Sequence, residues 1–286
     1  MEHLDLCDIC GSGRLAAVDP PNRICRCLDC GYIFDNPRPT IAEIGAFYSR
    51  PGKYDGWLRE EQPRFELWRR RLAIVRRFVP TGKLLDVGTG TGQFLSVASS
   101  VYEVDGTEVS SSAVAVARER YGLEVRQGTL EAVDFASQFD LVTLFHVLEH
   151  VPSPSLTIRR CRQLLRSGGL LVIAVPNDVV SVRSLAKRAL GILRAGGWRR
   201  TRYGLPAIRL DGSQSEVHLS HFTPKVLRML LARNGFGVVS QALDPYYVAV
   251  GRKKLAQDAW YTLHLGLHRL TGLNFYDTSL TVARAQ

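Results

Sequence analysis

Hydrophobic and polar positions change their spacing several times along the chain, and each change predicts a different element. Residues 59–78 repeat apolar positions every three or four residues, which predicts a helix that packs one face into a core. Pro80, with the Thr and Gly that follow it, separates this helix from a short apolar strand over 83–87. A second strand is predicted over 102–107. The apolar stripe of the helix consists of Phe65, Trp68, Leu72, Val75 and Phe78.

The first predicted strand runs directly into a glycine-rich turn that opens a helix. Gly88, Gly90 and Gly92 allow the backbone to turn sharply and to approach a ligand where open α/β sheets bind cofactors. The second strand ends at Glu108, twenty residues after Gly88, where a carboxylate can accept both hydroxyl protons of a ribose. The turn and the acid together predict a nucleoside site.

The same pattern leaves two cofactor classes open. A nicotinamide dinucleotide is one, although its fingerprint places the third glycine at the position of Gln93. Asp86, just before the turn, favours a nucleoside that bears an amino acid, because its carboxylate can organise loop N–H groups and receive an ammonium. Capping of the loop is the other role open to Asp86.

Cysteine is concentrated at the N-terminus, where five of the six cysteines lie within thirty residues. Two Cys-x-x-Cys-Gly units sixteen residues apart predict a four-thiolate zinc ribbon in a reducing compartment. A closed shell of four thiolates has no position for a substrate, so we expect a structural ion. The predicted ligands are Cys7, Cys10, Cys27 and Cys30, with Cys25 as a spare thiol.

Composition is that of an ordinary globular protein, with 45% hydrophobic and 22% charged residues. No stretch approaches the roughly 18 apolar residues of a membrane span, and residues 1–8 lack a secretory pattern, so we expect a cytoplasmic location. The net charge is +10, yet eight basic residues and no acid lie within 179–210, leaving 29 Lys+Arg against 27 Asp+Glu elsewhere. The basicity belongs to one segment.

This basic segment contains an apolar stripe at helical spacing over 182–193, flanked by Arg and Lys. Such a helix can be a lid with a solvated charged face, or it can lie peripherally on the inner membrane face through residues 181–200. Unbalanced positive charge at an acceptor entrance also favours an acidic partner. A nucleotide-sugar, a lipid-linked glycan phosphate and RNA are the candidates.

Taken in order, these motifs resemble the class I S-adenosylmethionine-dependent methyltransferases, and within them the group with an N-terminal zinc ribbon. The resemblance covers nearly the whole chain. It rests on the Cys pairs, Asn-Pro-Arg-Pro at 36–39, Leu-Asp-Val-Gly-Thr-Gly-Thr-Gly at 85–92, Glu108, Phe-Asp-Leu-Val-Thr-Leu-Phe-His-Val-Leu-Glu-His-Val at 139–151, Gly168-Gly169, Val-Pro-Asn at 175–177 and His-Leu-Ser-His-Phe-Thr at 218–223.

The resemblance implies a Rossmann-like α/β fold with a seven-stranded sheet whose last hairpin is antiparallel, here 236–243 and 247–252. It implies that the glycine turn passes under the methionine part of the cofactor and that Glu108 holds the ribose. Thr129 and Leu130 would border the adenine, where many relatives carry an acid instead of Thr129. Phe145 and His146 would lie near the methionine end.

Histidines near the methyl group are the catalytic candidates, since an alcohol acceptor must lose a proton. His218 is the first choice as base, because it follows the predicted lid and matches the position where some sugar methyltransferases of this family keep theirs. Glu216 would polarise it. A cap for the helix that starts near Thr223 is the other role open to His218, whereas His221 is expected to be structural. His146 and His150 are secondary candidates beside Glu149.

The predicted domains are a zinc ribbon (1–50), a helical connector (51–80), a methyltransferase domain (81–255) with a basic lid insertion (179–215), and a C-terminal extension (256–286). The predicted function is methyl transfer from S-adenosylmethionine to a sugar, glycan or small metabolite, with O-methylation favoured. An RNA methyltransferase that grips phosphate with the lid and ribbon is the alternative. A non-catalytic binding protein on the cofactor fold is the third hypothesis.

Overall fold

The computed structural model describes residues 1–50, 52–194 and 203–286. The N-terminal part contains strands β1 (Leu15–Asp19), β2 (Ile24–Cys27) and β3 (Ile33–Asp35) and helices α1 (Ile41–Tyr48), α2 (Asp55–Arg59) and α3 (Glu61–Val75). The larger part follows as β4 (Gly82–Val87), α4 (Gln93–Ala98), β5 (Tyr102–Glu108), α5 (Ser111–Tyr121), β6 (Arg126–Gln127), β7 (Phe139–Phe145), α6 (Pro154–Leu164), β8 (Leu165–Pro176), α7 (Val182–Arg194), β9 (Ser220–His221), α8 (Pro224–Arg233), β10 (Phe236–Leu243), α9 (Gly251–Thr271) and β11 (Thr278–Ala285).

Seven strands form one sheet in the order β10-β11-β8-β7-β4-β5-β6. Strands β4 to β8 are parallel to one another, while β11 is antiparallel to both β8 and β10. Apolar side chains cover both faces of this sheet. The predicted Rossmann-like fold is confirmed. Because the parallel strands share a direction, the ends of β4, β5 and β7 meet at one edge, which is where a cofactor binds in such sheets.

The last hairpin differs from the prediction. Residues 247–252 are not a strand, and α9 begins at Gly251 instead. The seventh strand is β11, inside the segment expected to be a C-terminal extension. A strand between β8 and β10 must be buried on both faces, and Thr278–Ala285 has seven of its eight residues buried. Val250 is exposed and is followed closely by charged Arg252, which such a position excludes.

The helix predicted over 59–78 is α3, which runs from Glu61 to Val75 and is preceded by the separate short helix α2. The expected core face is confirmed for Trp68, Leu72 and Val75, which are buried. Phe65 is only partly buried, and Phe78 lies beyond the end of the helix.

The ribbon is continuous with the rest of the molecule through a second sheet. This sheet has the order β1-β2-β3-β9, so a strand from after the basic insertion pairs antiparallel with the ribbon. The hydroxyl groups of Tyr32 and Ser220 lie 2.5 Å apart across the same junction, buried from solvent. Strand β9, which contains His221 and closely follows His218, is therefore held in place by its pairing with the ribbon.

Helix α7 occupies the place of the predicted amphipathic helix. Arg183 forms an ion pair with Asp277 at 2.9 Å, and Arg188 donates to the main-chain oxygen of Val179. The predicted lid (179–215) includes residues 195–202, and the predicted membrane-contact segment (181–200) includes residues 195–200, all of which lie outside the described residues. Among the described residues, none of the helices combines the length and apolar character needed to cross a bilayer.

A fully buried ion pair ties α3 to the end of β10. Arg71 Nε lies 3.0 Å from Asp244 Oδ1, a second guanidinium nitrogen bonds the other carboxylate oxygen, and neither side chain is exposed. The guanidinium is also enclosed by rings, with its carbon 4.7 Å from the centre of Phe145 and 5.1 Å from that of Tyr246. Each charge is thus paired and buried from solvent.

Replacement of Arg71 by alanine leaves Asp244 as a buried charge without its partner. We expect Arg71→Ala to lower the free energy of unfolding by about 3–5 kcal/mol in urea titrations followed by circular dichroism. Arg69→Ala, on the exposed face of the same helix, should shift the unfolding midpoint little. Equal midpoints for the two variants would contradict the structural importance of the pair.

Candidate active site

The glycine turn and Glu108 meet as predicted at the carboxyl edge of the sheet. Glu108 is buried, and its two carboxylate oxygens accept hydrogen bonds from the backbone N–H groups of Gly90 and Ser110, each at 2.8 Å. Burial raises the pKa of Glu108 above its usual range, against the lowering effect of these N–H groups. The N–H groups fix the carboxylate at the end of β5, where its remaining lone pairs can accept ribose hydroxyls.

Gly88 shows why this turn requires glycine. Its φ is +66°, and a Cβ atom there would lie 2.5 Å from a methyl group of Val147. A side chain would therefore clash with the loop after β7 and fill the space beside it. The backbone itself therefore forms this part of the cavity wall, which is a position that only glycine can occupy without strain.

Asp86 lies beneath the turn. It is 3% exposed and accepts a hydrogen bond from the hydroxyl of Thr143 at 2.6 Å. Burial raises its pKa to about 7, more than this hydrogen bond lowers it. Asp86 does not belong to the cavity lining described below, so its position favours organisation of the loop over direct contact with an ammonium.

A cavity of about 1050 Å³ opens over this edge of the sheet. The cavity is lined by most of the residues predicted to bind the cofactor or to take part in catalysis. They are Gly88, Gly90, Glu108, Thr129, Leu130, Phe145, His146, His150 and Glu216. Gly92 lies behind it, where it begins α4. Glu131, immediately after the predicted adenine contacts, lines it as well. The volume and the mixed lining suit a nucleoside cofactor together with part of an acceptor.

One wall of this cavity is not among the sequence predictions. The predicted connector supplies Tyr54, Trp57, Arg64 and Trp68, the end of the predicted ribbon segment supplies Tyr48, and the chain after β10 adds Tyr246. The density of aromatic residues between 47 and 57 was the available signal. The helical periodicity assigned Trp68 to core packing.

His146 follows β7 in a strained conformation, with a φ of +59° that residues other than glycine seldom adopt. Its Nδ1 lies 3.3 Å from Glu149, its Nε2 lies 3.5 Å from Asp244, and its ring stacks on Tyr246 at 4.3 Å. Burial lowers the pKa of His146, but the two carboxylates outweigh it and raise the pKa overall. Both nitrogens face carboxylates at ion-pair distance, which favours a role in shaping the cavity.

His150 occupies the neighbouring part of the wall. Its Nδ1 lies 2.6 Å from the main-chain oxygen of Val217, so Nδ1 carries a proton in this contact. Burial is the main cause that lowers its pKa, so the imidazole is neutral at neutral pH.

His218 lines a second, smaller cavity of about 430 Å³, together with Asp178 and His221. The two cavities share residues 214–216, which we call the dividing segment. His218 therefore does not reach the cofactor cavity directly, whereas Glu216, in the dividing segment, lines both cavities.

Two carboxylates hold His218. Its Nδ1 lies 3.1 Å from Asp178, and its Nε2 lies 3.6 Å from Glu216. Burial alone would lower the pKa of His218, but these carboxylates raise it well above its usual value. His218 in turn lowers the pKa of Glu216 to about 2, although burial acts to raise it. Asp178, the closer partner, was missed by the sequence analysis even though it follows β8 at the same sheet edge.

The four predicted zinc ligands converge in the ribbon, where their Sγ atoms all lie within 4.8 Å of one another. Two sulfur pairs, Cys7 with Cys30 and Cys10 with Cys27, are 3.5 Å apart. A tetrahedral zinc site with bonds of about 2.3 Å has sulfur–sulfur edges of about 3.8 Å, so the donor set fits zinc. Cys25 lies outside this group of four.

Backbone geometry around the thiols also matches the expectation. Gly11 and Gly31, which follow the second cysteine of each pair, have φ of 75° and 80°. Burial acts to raise the pKa of Cys27, yet backbone N–H groups of Asp29 and Cys30 bring it down to about 7. The thiolate that a metal requires is thus favoured at this ligand.

Comparisons with known proteins agree with this geometry. A family model described as a methyltransferase domain matches residues 58–241. A ubiquinone biosynthesis O-methyltransferase of Aromatoleum aromaticum is 37% identical over 103 residues, which are 33% of this chain and 44% of that protein. One from Nitrobacter winogradskyi is 28% identical over 182 residues, 62% of this chain and 64% of that protein. The chain thus spans less than two thirds of either relative.

A solved structure shares the fold at low identity. The magnesium protoporphyrin IX methyltransferase of Synechocystis, with bound S-adenosylhomocysteine, superposes with a TM-score of 0.54 at 15% identity. The superposition covers 86% of this chain and 100% of that one. At this level of identity the likeness concerns the architecture alone.

The zinc assignment predicts a loss of metal without the second cysteine pair. We expect the Cys27→Ser and Cys30→Ser double variant to fall from roughly one zinc per chain to none by plasma mass spectrometry, because two ligands cannot close a tetrahedral shell. Cys25→Ser, in the same strand region but outside the group of four, should keep its zinc. Zinc retained by the double variant would refute the assignment.

The role of Glu108 predicts a loss of cofactor affinity. Hydrogen bonds to a charged group contribute about 1.5–3 kcal/mol, so we expect Glu108→Gln to weaken S-adenosylhomocysteine binding about 10–100-fold in calorimetric titrations. Glu103→Gln, on the exposed part of the same strand, should bind like the unaltered protein. Tight NADH binding by the unaltered protein would instead support the dinucleotide alternative.

Proposed function

The chain belongs to the class I S-adenosylmethionine-dependent methyltransferase family, and we propose that it transfers the methyl group to an oxygen of a small hydroxylated metabolite. One observation carries this proposal: the buried carboxylate of Glu108, anchored on the glycine turn, opens into a cavity that reaches a cluster of histidines and carboxylates. The Glu108 carboxylate and the glycine turn suit the nucleoside of the cofactor. The histidines and carboxylates suit removal of a proton from the acceptor.

The residues around the turn would hold the cofactor in a fixed direction. Glu108 would bind the ribose, Gly88 and Gly90 would border the methionine portion, and Thr129 and Leu130 would border the adenine. S-adenosylmethionine supplies an electrophilic methyl group on a sulfonium. The protein needs chiefly to place the acceptor oxygen in line with that methyl group and to exclude water.

His218 is the proposed base. Asp178 orients the ring through Nδ1, which leaves Nε2 directed toward Glu216 and the dividing segment. With the acceptor oxygen in line with the methyl group that the cofactor would supply, the hydroxyl proton would move to Nε2 of His218. Asp178 stabilises the resulting imidazolium.

The acceptor must then contact both cavities. Glu216 lies between them, so an acceptor hydroxyl that displaces its carboxylate from His218 would meet the base and the methyl group together. Displacement also removes a negative charge from beside the imidazole, which lowers the pKa of His218 toward the range of a useful base.

Several features support a small hydroxylated acceptor. The matched relatives are named O-methyltransferases, and aromatic rings of Tyr48, Trp57 and Tyr246 line the cofactor cavity. A sugar, nucleotide-sugar or lipid-linked glycan remains the more specific hypothesis for the acceptor, because the positively charged Lys187 of α7 lines the smaller cavity. Peripheral membrane contact through residues 181–200 and an RNA acceptor remain further hypotheses.

The test is formation of S-adenosylhomocysteine with a set of acceptors. A catechol-type phenol, a nucleotide-sugar, a lipid-linked glycan and a structured RNA would each be incubated with S-adenosylmethionine and analysed by mass spectrometry. Methylation of a small acceptor supports the proposal. Methylation of RNA alone, falling steeply as salt rises, would overturn it in favour of the RNA hypothesis.

His218→Ala should lower kcat by about 10²–10⁴-fold on the accepted substrate, because the proton loses its acceptor, while S-adenosylhomocysteine affinity stays unchanged. His3→Ala, an exposed histidine in the ribbon, is the control. The protonated form of His218 is inactive as a base, so kcat/KM of the unaltered enzyme should rise with pH along a limb above about 6.5, the ordinary histidine pKa. Normal turnover by His218→Ala would refute the base assignment.

A further inference from the structure

A buried ion pair joins the ribbon to the strand that follows His218. Asp35, the last residue of β3, is 1% exposed, and His221 in β9 is 4% exposed. Asp35 Oδ2 lies 3.4 Å from His221 Nε2. Neither side chain forms a hydrogen bond of good geometry with any described residue, so their charges depend on ion-pair contacts such as this one.

The contact continues from His221 to the proposed base. His221 Nδ1 lies 3.5 Å from Asp178 Oδ2, and that same oxygen lies 3.1 Å from His218 Nδ1. Asp35, His221, Asp178 and His218 thus form an alternating series of carboxylates and imidazoles, which we call the relay. One carboxylate oxygen serves both histidines, so a change at one imidazole alters the field at the other.

We propose that Asp35 of the zinc ribbon is a positioning residue for His218, acting through His221 and Asp178. This inference rests on the proposed role of His218 as base. It assigns the ribbon a part in the reaction beyond its own stability, because the residue that begins the relay lies in the ribbon strand β3, between β2 and β9.

Backbone pairing gives the relay its rigidity. The N–H of Asp35 donates to the main-chain oxygen of Leu219 at 2.9 Å, and Ile33 is paired with His221. Strand β2 ends at the ligand Cys27, and its partner β3 begins three residues after the ligand Cys30. The zinc ligands therefore fix the hairpin that holds β9.

The relay predicts the sign of an electrostatic effect. The carboxylate of Asp35 stabilises protonated His221, and the positive charge on His221 weakens the pull of Asp178 on the His218 proton. Without the Asp35 charge, His221 becomes neutral more readily. The ring of His221 lies 6.4 Å from that of His218 and Asp35 lies beyond it, so loss of the nearer positive charge dominates and the His218 proton is held more tightly.

Other charged groups facing these residues remain in place. Glu216, Glu149 and His150 act on His218 from the dividing segment and from the loop after β7. Arg23 of the ribbon acts on Asp35. None of them is altered by a substitution at Asp35, so the change in the His218 titration isolates the relay.

The experiment compares Asp35→Asn with Asp19→Asn in the full-length, zinc-loaded protein. Asp19 is a matched control because it is also a buried ribbon aspartate, 4% exposed. Its carboxylate accepts a hydrogen bond from Asn22, whereas that of Asp35 faces a histidine. We expect Asp35→Asn to move the rising limb of kcat/KM upward by about one pH unit, with unchanged affinity for S-adenosylhomocysteine. Asp19→Asn should leave the limb in place.

Histidine NMR provides a readout that does not depend on turnover. The His218 resonance, identified by its absence in His218→Ala, should titrate at higher pH in Asp35→Asn, and His221 should titrate lower. If Asp35→Asn disturbs folding, His221→Asn keeps a donor toward Asp178 without the charge and should give the same shift of His218. Identical His218 titrations in Asp35→Asn, His221→Asn and the unaltered protein would overturn the proposal.

Two further results are informative. A second zinc ion per chain that is lost in His221→Asn would overturn the proposal, because a metal would then replace the protons of the relay. Full activity of His218→Ala, combined with a shifted His218 titration in Asp35→Asn, would refute the base assignment while leaving the electrostatic link intact. The two failures are therefore distinguishable.

Discussion

The buried pair of Arg71 and Asp244 determines how the wall of the larger cavity around His146 and Tyr246 is built. Removing two charges from water is costly, and the pair is retained within aromatic walls where its geometry is fixed by two hydrogen bonds. Asp244 also faces His146, so the end of β10, helix α3 and the loop after β7 are locked around one carboxylate. Such a pair adds little net stability over a well-packed apolar core, and its main contribution is orientation.

From its sequence, the ribbon is expected to be a separate module that binds its own zinc ion. Its sheet instead takes in β9, and its Asp35 lies against His221 within the protein interior. The four thiolates and the histidine cluster are therefore parts of one rigid arrangement. A small module that cannot bury a large core obtains one here by sharing it with the catalytic domain.

Much of the cofactor half could be predicted from the sequence. The glycine turn, Glu108 and the cysteine pairs depend on local spacing, and local spacing is visible in a sequence. In the acceptor half the candidate histidines and Glu216 could be named from local motifs, but their partners could not, because those contacts join distant segments: Asp178 meets His218 across forty residues, and Asp35 meets His221 across a far longer stretch. The last strand was predicted at 247–252, but in the structure it is β11. Both segments are short apolar runs, and only the burial of β11 between the distant strands β8 and β10 distinguishes them.

The pairing of β9 with β3 and of β11 with β8 has a consequence for the order in which the molecule assembles. Strands β4 to β7 and their helices are close in sequence, so their contacts close short loops and can form early. The two distant pairings close loops of roughly a hundred residues or more and should form late. The nucleoside half of the cleft would then exist before the histidine half, and partial opening of the folded protein would disable chemistry while the cofactor still binds.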